Sequence, residues 1–392
     1  MTKKADMALK PTFTYWCWGV IIACQTVPNF ISTPIGVQLL ANSIFVTALG
    51  ALFSIKLNKS TQEESSSLMT RTNATPDEDD DETIGASEAM QFPIIASISL
   101  VTLYILINMI NKALISGLFS IYICMSAVYA LGFYLEHWLT ENNIGTYAVL
   151  FKVDYNLWYV VGSYHLKYDV SMRTINGFAI AFAIASLYMY NGFWVMSNLI
   201  GITLSLGAIK LLKIKDAKTG LLVLWGLFFY DIFWVFKTDV MVSVAKNLDV
   251  PIKLKFPLNT SLEKFSILGL GDMIIPGLYV ALCLKYDVDR YVALYKPKSF
   301  ANFKSTYFNF AIIGYSLSIL TTYVCMTWFN HAQPALLYIV PGLTIFTLIP
   351  ALAMGDFKNF WAYDSTTVEK ANKPASLENE VVAELEAKPK ED

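Results

Sequence analysis

Apolar runs close to bilayer length, separated by short polar links, fill most of this chain. A membrane-spanning helix needs about 20 apolar residues. That ruler predicts nine spans, at 34–55, 92–110, 113–136, 174–190, 194–213, 219–236, 266–285, 305–328 and 334–353. A further apolar stretch, 13–31, follows Lys3, Lys4 and Lys10; with its Pro28 and modest length it reads as a signal peptide, a signal anchor or an additional span. Two segments break the pattern and read as solvated: a linker, 57–91, containing Ser65 to Ser67 and the acidic run Asp77 to Glu82, and a tail from 357 to 392. The resulting organisation is an N-terminal segment 1–33, a first span 34–56, the linker, spans two to five within 92–213, a core of spans six to nine within 214–356, and the tail. The expected fold class is an all-α polytopic membrane protein.

Composition agrees. Of 392 residues, 55% are hydrophobic and only 15% charged, against about 25% charged in soluble domains. The 29 Lys and Arg nearly balance 31 Asp and Glu, and no basic stripe marks a nucleic-acid binder. The five cysteines lie in apolar runs and are odd in number, so they read as small hydrophobes rather than disulfides or a zinc cluster. In a nine-span topology, 20 of the 29 basic residues fall on one side, which is therefore expected to be cytosolic. The exception is the loop after span six, with Lys237, Lys246, Lys253, Lys255 and Lys264. Of the two glycosylation sequons, Asn73-Ala74-Thr75 and Asn259-Thr260-Ser261, this orientation favours Asn259. The acidic run lacks the glycine and ligand spacing of a calcium loop and reads as a solvating segment.

Charge is scarce inside the spans, and two aspartates stand out. Asp231 is the one ionisable group in Leu221 to Phe236 apart from Tyr230, and Asp272 is alone within Ile267 to Gly277. Burying such a group costs at least ~2.5–3.5 kcal/mol, so each is a functional candidate. Neither run holds a basic partner, and the cost falls if the two carboxyls face each other around water and share a proton. One then serves as base and the other as acid for peptide hydrolysis. A proton relay in a transporter, or a pair of buried acids holding two helices in a scaffold, would use the same residues. Gly269 and Gly271 precede Asp272 and let backbone or substrate approach closely; Pro276 disturbs the span one turn later. Gln333-Pro334-Ala335-Leu336 opens the ninth span, where proline leaves backbone groups without helical partners. No His-Glu-x-x-His pair and no Gly-x-Ser-x-Gly elbow occurs, and the histidines are His137, His165 and His331, the last read as interfacial.

Tyr230-Asp231, Gly269-Leu270-Gly271-Asp272 and Gln333-Pro334-Ala335-Leu336 resemble the three signature motifs of the GxGD intramembrane aspartyl proteases, the superfamily of presenilin and signal peptide peptidase. Phe229 to Phe236, Val250 to Leu254, Gly269 to Gly277, His331 to Pro341 and Phe92 to Ser97 resemble the signal peptide peptidase branch, and the likeness covers about 34–355. The resemblance implies nine spans, a lumenal N-terminus, a cytosolic C-terminus, and Asp231 and Asp272 as a dyad on spans six and seven. It implies that Tyr230 orients its neighbour by a hydrogen bond, that Gly269, Leu270 and Gly271 give access, and that Gln333, Pro334, Ala335 and Leu336 shape the cavity. No metal or organic cofactor is required. The implied substrates are remnant signal peptides and other type II membrane segments in the endoplasmic reticulum bilayer. Homo-oligomers and membrane quality-control complexes stand as candidate partners, and nucleic acid does not. The chain shows neither a cysteine-rich domain before the first span nor a terminal dilysine signal. Between Pro251 and Pro257, alternating apolar and basic residues suit an edge strand, and Ile252, Lys253 and Leu254 are expected to pair with unwound substrate.

Overall fold

Each apolar run forms a helix, except that 266–269 at the start of the seventh is a strand, and capping side chains fix several of the starts. Asn111, Ser171 and Asp216 accept hydrogen bonds from the amides of Ala113, Thr174 and Thr219, satisfying donors that the first turn leaves unpaired. The computed structural model describes residues 11–29, 34–69, 83–142, 144, 149–159, 162–238, 240–248, 250–257, 265–295, 303–329 and 333–367. In chain order the elements are α1 (Pro11–Thr26), α2 (Ile35–Met69), β1 (Thr83–Ile84), α3 (Ala86–Met109), α4 (Lys112–Glu141), β2 (Val149–Tyr159), β3 (Gly162–Ser171), α5 (Met172–Asn191) and α6 (Trp194–Leu211). They continue with β4 (Lys213–Ile214), α7 (Ala217–Phe236), α8 (Val240–Asn247), β5 (Lys253–Pro257), β6 (Phe265–Gly269), α9 (Gly271–Tyr295), α10 (Thr306–Phe329), α11 (Leu336–Ala353) and α12 (Phe357–Ala362).

Among the described residues, eight helices are long and apolar enough to cross a membrane: α2 to α7 together with α10 and α11. The ninth expected span, α9, falls outside that set because it carries Asp272, Lys285, Asp287, Asp289 and Arg290. Its position explains the tolerance. Helices α2, α6, α7, α10 and α11 all pack on α9, and Met273 and the run from Pro276 to Leu284 are buried. The helix needs no lipid-compatible surface there, because protein covers it.

Three features depart from the sequence expectations. First, the described part of the 13–31 stretch, up to Asn29, packs into the bundle against α2 and α6. Helix α1 lies antiparallel to α2: Trp18 and Phe53 both reach Tyr134, with ring centroids 5.5 Å apart in each case, while Gln25 bonds Asn42. The Tyr15 hydroxyl reaches Asn142, just past α4. The start of α1 therefore lies on the face of the bundle where α4 ends. Second, helix runs to Met69 and resumes at Ala86, so the linker is shorter than 57–91; Asn73 and Asp77 to Glu82 lie outside the described residues. Third, β2 and β3 form a long antiparallel hairpin pairing Phe151 with Val170 through Tyr159 with Gly162.

The tail expectation also needs correction at its start, because 357–367 folds onto the core. Asp356 accepts from the Tyr286 hydroxyl at 2.6 Å and pairs with Arg290 at 2.9 Å. Phe360 stacks on Tyr307 at 4.8 Å and meets Tyr286 edge-on. Ser365 then donates its amide to Lys215, and β1 pairs in parallel with β4 alongside. Aromatic burial thus carries the tail back to the face where α7 begins. The Asp287 carboxylate caps α10 from 20 residues away, accepting from the amides of Tyr307 and Phe308.

Asp364 closes this cap. Burial works against its charge, but the Thr366 hydroxyl, the Thr366 and Thr367 amides and the Lys215 ammonium hold its carboxyl down at about 2, below the ordinary 3.8. Because the folded value is depressed, its contribution is complete above the ordinary value and fades as pH falls toward 2. Hydrogen exchange of the 364–367 amides in detergent is expected to quicken, relative to the intrinsic rate, across that interval. In Asp364→Asn the same amides should show no such pH step.

Candidate active site

Asp231 lies nearly four turns into α7 and is 5% exposed. Its Oδ2 accepts a hydrogen bond from the Leu336 amide at 3.2 Å. That donor exists because α11 begins at Leu336, whose amide belongs to the first turn and has no partner within its own helix. Pro334, buried just before the start, accepts from the Leu337 amide and fixes the entry of the chain. The Pro334-Ala335-Leu336 motif is thus a helix N-terminus aimed at a carboxylate, where both the amide and the helix dipole stabilise negative charge.

Asp272 stands in the first turn of α9, immediately after β6. A Cβ placed on Gly269 would lie 3.3 Å from Asp272 Oδ2, so the first glycine of the motif makes room for the carboxyl. A Cβ on Gly271 would meet nothing within 4 Å. Pro276 lacks the N–H that would bond the Asp272 carbonyl one turn back. The freed carbonyl accepts instead from the Tyr315 hydroxyl of α10 at 3.1 Å, and Tyr315 is fully buried. The Asp231 and Asp272 carboxyls lie within electrostatic reach of each other.

The structure brings together most of the residues singled out from the sequence. Leu270 is buried and donates its amide to the Ile252 carbonyl. Gln333 accepts from the Tyr338 hydroxyl at 3.4 Å. Tyr230 differs from expectation: among the described residues it makes no hydrogen bond to Asp231, and its ring lies 6.4 Å from that of Trp234. The orienting bond comes from the Leu336 amide instead, because an i,i+1 pair on a helix diverges. Trp234 donates in turn to Ser97 of α3 at 3.1 Å, which ties the Phe92 to Ser97 segment to the site. Asn259 and His331 lie outside the described residues. Tyr315 was not legible as a site residue, since nothing in an apolar span marks one tyrosine as the partner of a distant carbonyl.

The stretch holding Ile252, Lys253 and Leu254 does become a strand, from Lys253, and pairs antiparallel with β6. Its outer edge is occupied: the Lys255 amide donates to Asn198 Oδ1 and the Lys255 carbonyl accepts from Asn198 Nδ2, each at 2.8 Å. Leu254 and Phe256 are fully buried. Backbone groups alternate sides along a strand. With Lys255 turned outward to Asn198, the pairs Leu254–Leu268 and Phe256–Ser266 carry the hairpin bonds, and the N–H and C=O of Ile267 face the far edge of β6. Ile267 is 52% exposed. That edge leads through Leu270 and Gly271 directly to Asp272.

A deep bundle thus holds two acids beside a strand edge that pairs with no other strand among the described residues, and comparison with known proteins gives the same direction. A family model described as signal peptide peptidase matches residues 76–367. The chain is 33% identical to signal peptide peptidase of Mus musculus over 379 residues, covering 92% of this chain and 93% of the relative. It is 33% identical to signal peptide peptidase of Homo sapiens over 350 residues, 86% of each chain. Over 198 residues it is 43% identical to a probable intramembrane protease of Saccharomyces cerevisiae, covering 48% of this chain and 34% of the relative. The chain belongs to the signal peptide peptidase family, and it is an intramembrane-cleaving aspartic peptidase.

Proposed function

We propose that Asp231 and Asp272 are the catalytic dyad, with Asp231 entering the cycle as the base and Asp272 as the acid. The observation that carries this reading is the Leu336 amide on Asp231 Oδ2, which favours the ionised form of that carboxyl over its partner. Asp231 takes a proton from water as the water oxygen bonds the scissile carbonyl carbon, and Asp272 gives its proton to the carbonyl oxygen. The resulting gem-diol collapses as Asp231 passes its proton to the amide nitrogen, the C–N bond breaks, and Asp272 recovers a proton from a diol hydroxyl. Both acids return to their starting states without metal or cofactor.

A helical peptide bond is shielded by its own hydrogen bonds and must be unwound first. In this reading the unwound stretch adds to the open edge of β6 by main-chain pairing, rather than to β5, whose outer edge Asn198 occupies. The substrates are remnant signal peptides and other type II segments, and the membrane is that of the endoplasmic reticulum. The face rich in Lys and Arg is cytosolic; it holds the folded end of the tail and the start of α1. Homo-oligomers and quality-control complexes belong to the same proposal, as does glycosylation at Asn259.

The test is cleavage of a model signal peptide by purified protein in detergent, comparing wild type, Asp231→Asn and Asp272→Asn. Loss of product in both folded variants is expected. Product from either one would overturn the dyad and return attention to a proton relay, which predicts ion flux across vesicles instead.

A further inference from the structure

The amide that holds β5 is itself held. Asn198 Nδ2 donates to Gln25 Oε1 of α1 at 2.8 Å as well as to Lys255 O. Gln25 Nε2 donates to Asn42 Oδ1 of α2 at 2.9 Å, and Asn42 Nδ2 to the Gln38 carbonyl at 2.8 Å. The chain closes on the hairpin again where Gln38 Nε2 meets the Pro257 carbonyl at 3.5 Å. These four side chains are each no more than 2% exposed. Buried amides are costly unless paired, and the bonds Asn198 makes use its oxygen and both its N–H donors. It stands in for a neighbouring strand residue, exchanging both main-chain bonds with Lys255. The fit around it is close: a Cβ on Gly201, one turn further along α6, would lie 3.1 Å from Leu254 and 3.2 Å from Leu270.

We propose that Gln25 and Asn198 are positioning residues that fix the register of the β5–β6 hairpin, and through it the peptide bond presented to the dyad. This rests on the reading that substrate pairs with β6. Helix α1 then belongs to the working enzyme. Because β6 runs into Asp272 within three residues of Gly269, a shift of the hairpin moves substrate relative to the acid. A one-residue slip of strand pairing changes the face that every side chain presents. Loosening the amide chain should therefore scatter cleavage over neighbouring bonds, whereas a role confined to stability would lower yield with the cleavage position unchanged.

The experiment uses the full chain in detergent, a model signal peptide, and mass spectrometry of both products. Gln25→Met keeps the length of the side chain and removes its bonds to Asn198 and Asn42. It is expected to redistribute product from the main bond to adjacent ones and raise KM severalfold. Gln25→Glu, whose protonated form keeps both bonds, should restore the main product. Hydrogen exchange of 253–257 is read on the same samples and is expected to quicken in Gln25→Met. Unchanged product masses in an active Gln25→Met would overturn the proposal, and so would unchanged exchange at 253–257 in an inactive one. The underlying reading is tested separately by Ile267→Pro, which removes an outward N–H of β6 and no hairpin bond. If Ile267→Pro cleaves normally, pairing to β6 fails and the proposal fails with it. If Ile267→Pro is impaired while Gln25→Met gives wild-type products, only the positioning role fails.

Discussion

The double variant Asp231→Asn, Asp272→Asn is expected to turn over no more slowly than either single variant, each already reduced at least about 10³-fold. In the proposed cycle the two carboxyls work on one proton inventory: the proton taken by one is returned only when the other has delivered its own. Removing either therefore stops the cycle, and removing the second has nothing left to stop. Additive losses would mean that the acids act in separate steps or on separate functions. The measurement is the rate of product formation under single-turnover conditions, with thermal unfolding in detergent confirming that all three variants fold. Asparagine is preferred to alanine because it keeps the volume of the side chain, and at position 231 it retains an oxygen able to accept from the Leu336 amide.

Gly269→Val is expected to lower kcat by about 10²-fold, on the scale of misplacing a catalytic group by about 1 Å. Gly271→Ala should leave it near wild type. Even the first carbon of a side chain at 269 would stand 3.3 Å from Asp272 Oδ2, and valine adds two methyls beyond it, whereas a Cβ at 271 enters open space. The choice of valine separates this contact from strand loss, because valine favours a strand and position 269 lies in β6. Alanine at 271 likewise favours the helix that begins there. The readout is kcat and KM on the model signal peptide. Equal losses at the two positions would show that the motif needs backbone freedom at both glycines, and the steric account would fall.

The spans and the two isolated aspartates were legible because bilayer length and isolated charge are strong local signals. The groups that contact those aspartates were less so. The role of Pro334 to Leu336 could be read as a cavity-shaping helix start, but the donor is a backbone amide, which no residue type announces. Tyr315 acts on a carbonyl that Pro276 releases, a relation between two helices that neither sequence carries alone. The β2–β3 hairpin had a readable trace, since Phe151, Val153, Tyr155 and Leu157 alternate with Lys152, Asp154 and Asn156, yet a search tuned to bilayer length passes over it. The neighbours of β5, which are β6 on one edge and Asn198 on the other, were hidden for a related reason. Alternation identifies a strand but not its neighbours, and here the neighbour is a helix side chain.

The charge content of α9 bears on how the protein is made. A charged residue raises the cost of inserting an isolated helix, by about 2.5–3.5 kcal/mol at the helix centre, and α9 bears Asp272 in its first turn and four more charged residues, Lys285, Asp287, Asp289 and Arg290, toward its far end. Such a segment is a poor candidate for partitioning into lipid by itself. Of its neighbours, α2, α6 and α7 are translated before it and α10 and α11 after it. Biogenesis should therefore keep the early helices together long enough to receive α9 as a group, and a ribosome stalled before α10 would leave a nascent chain whose α9 still lacks two of the five helices that line it.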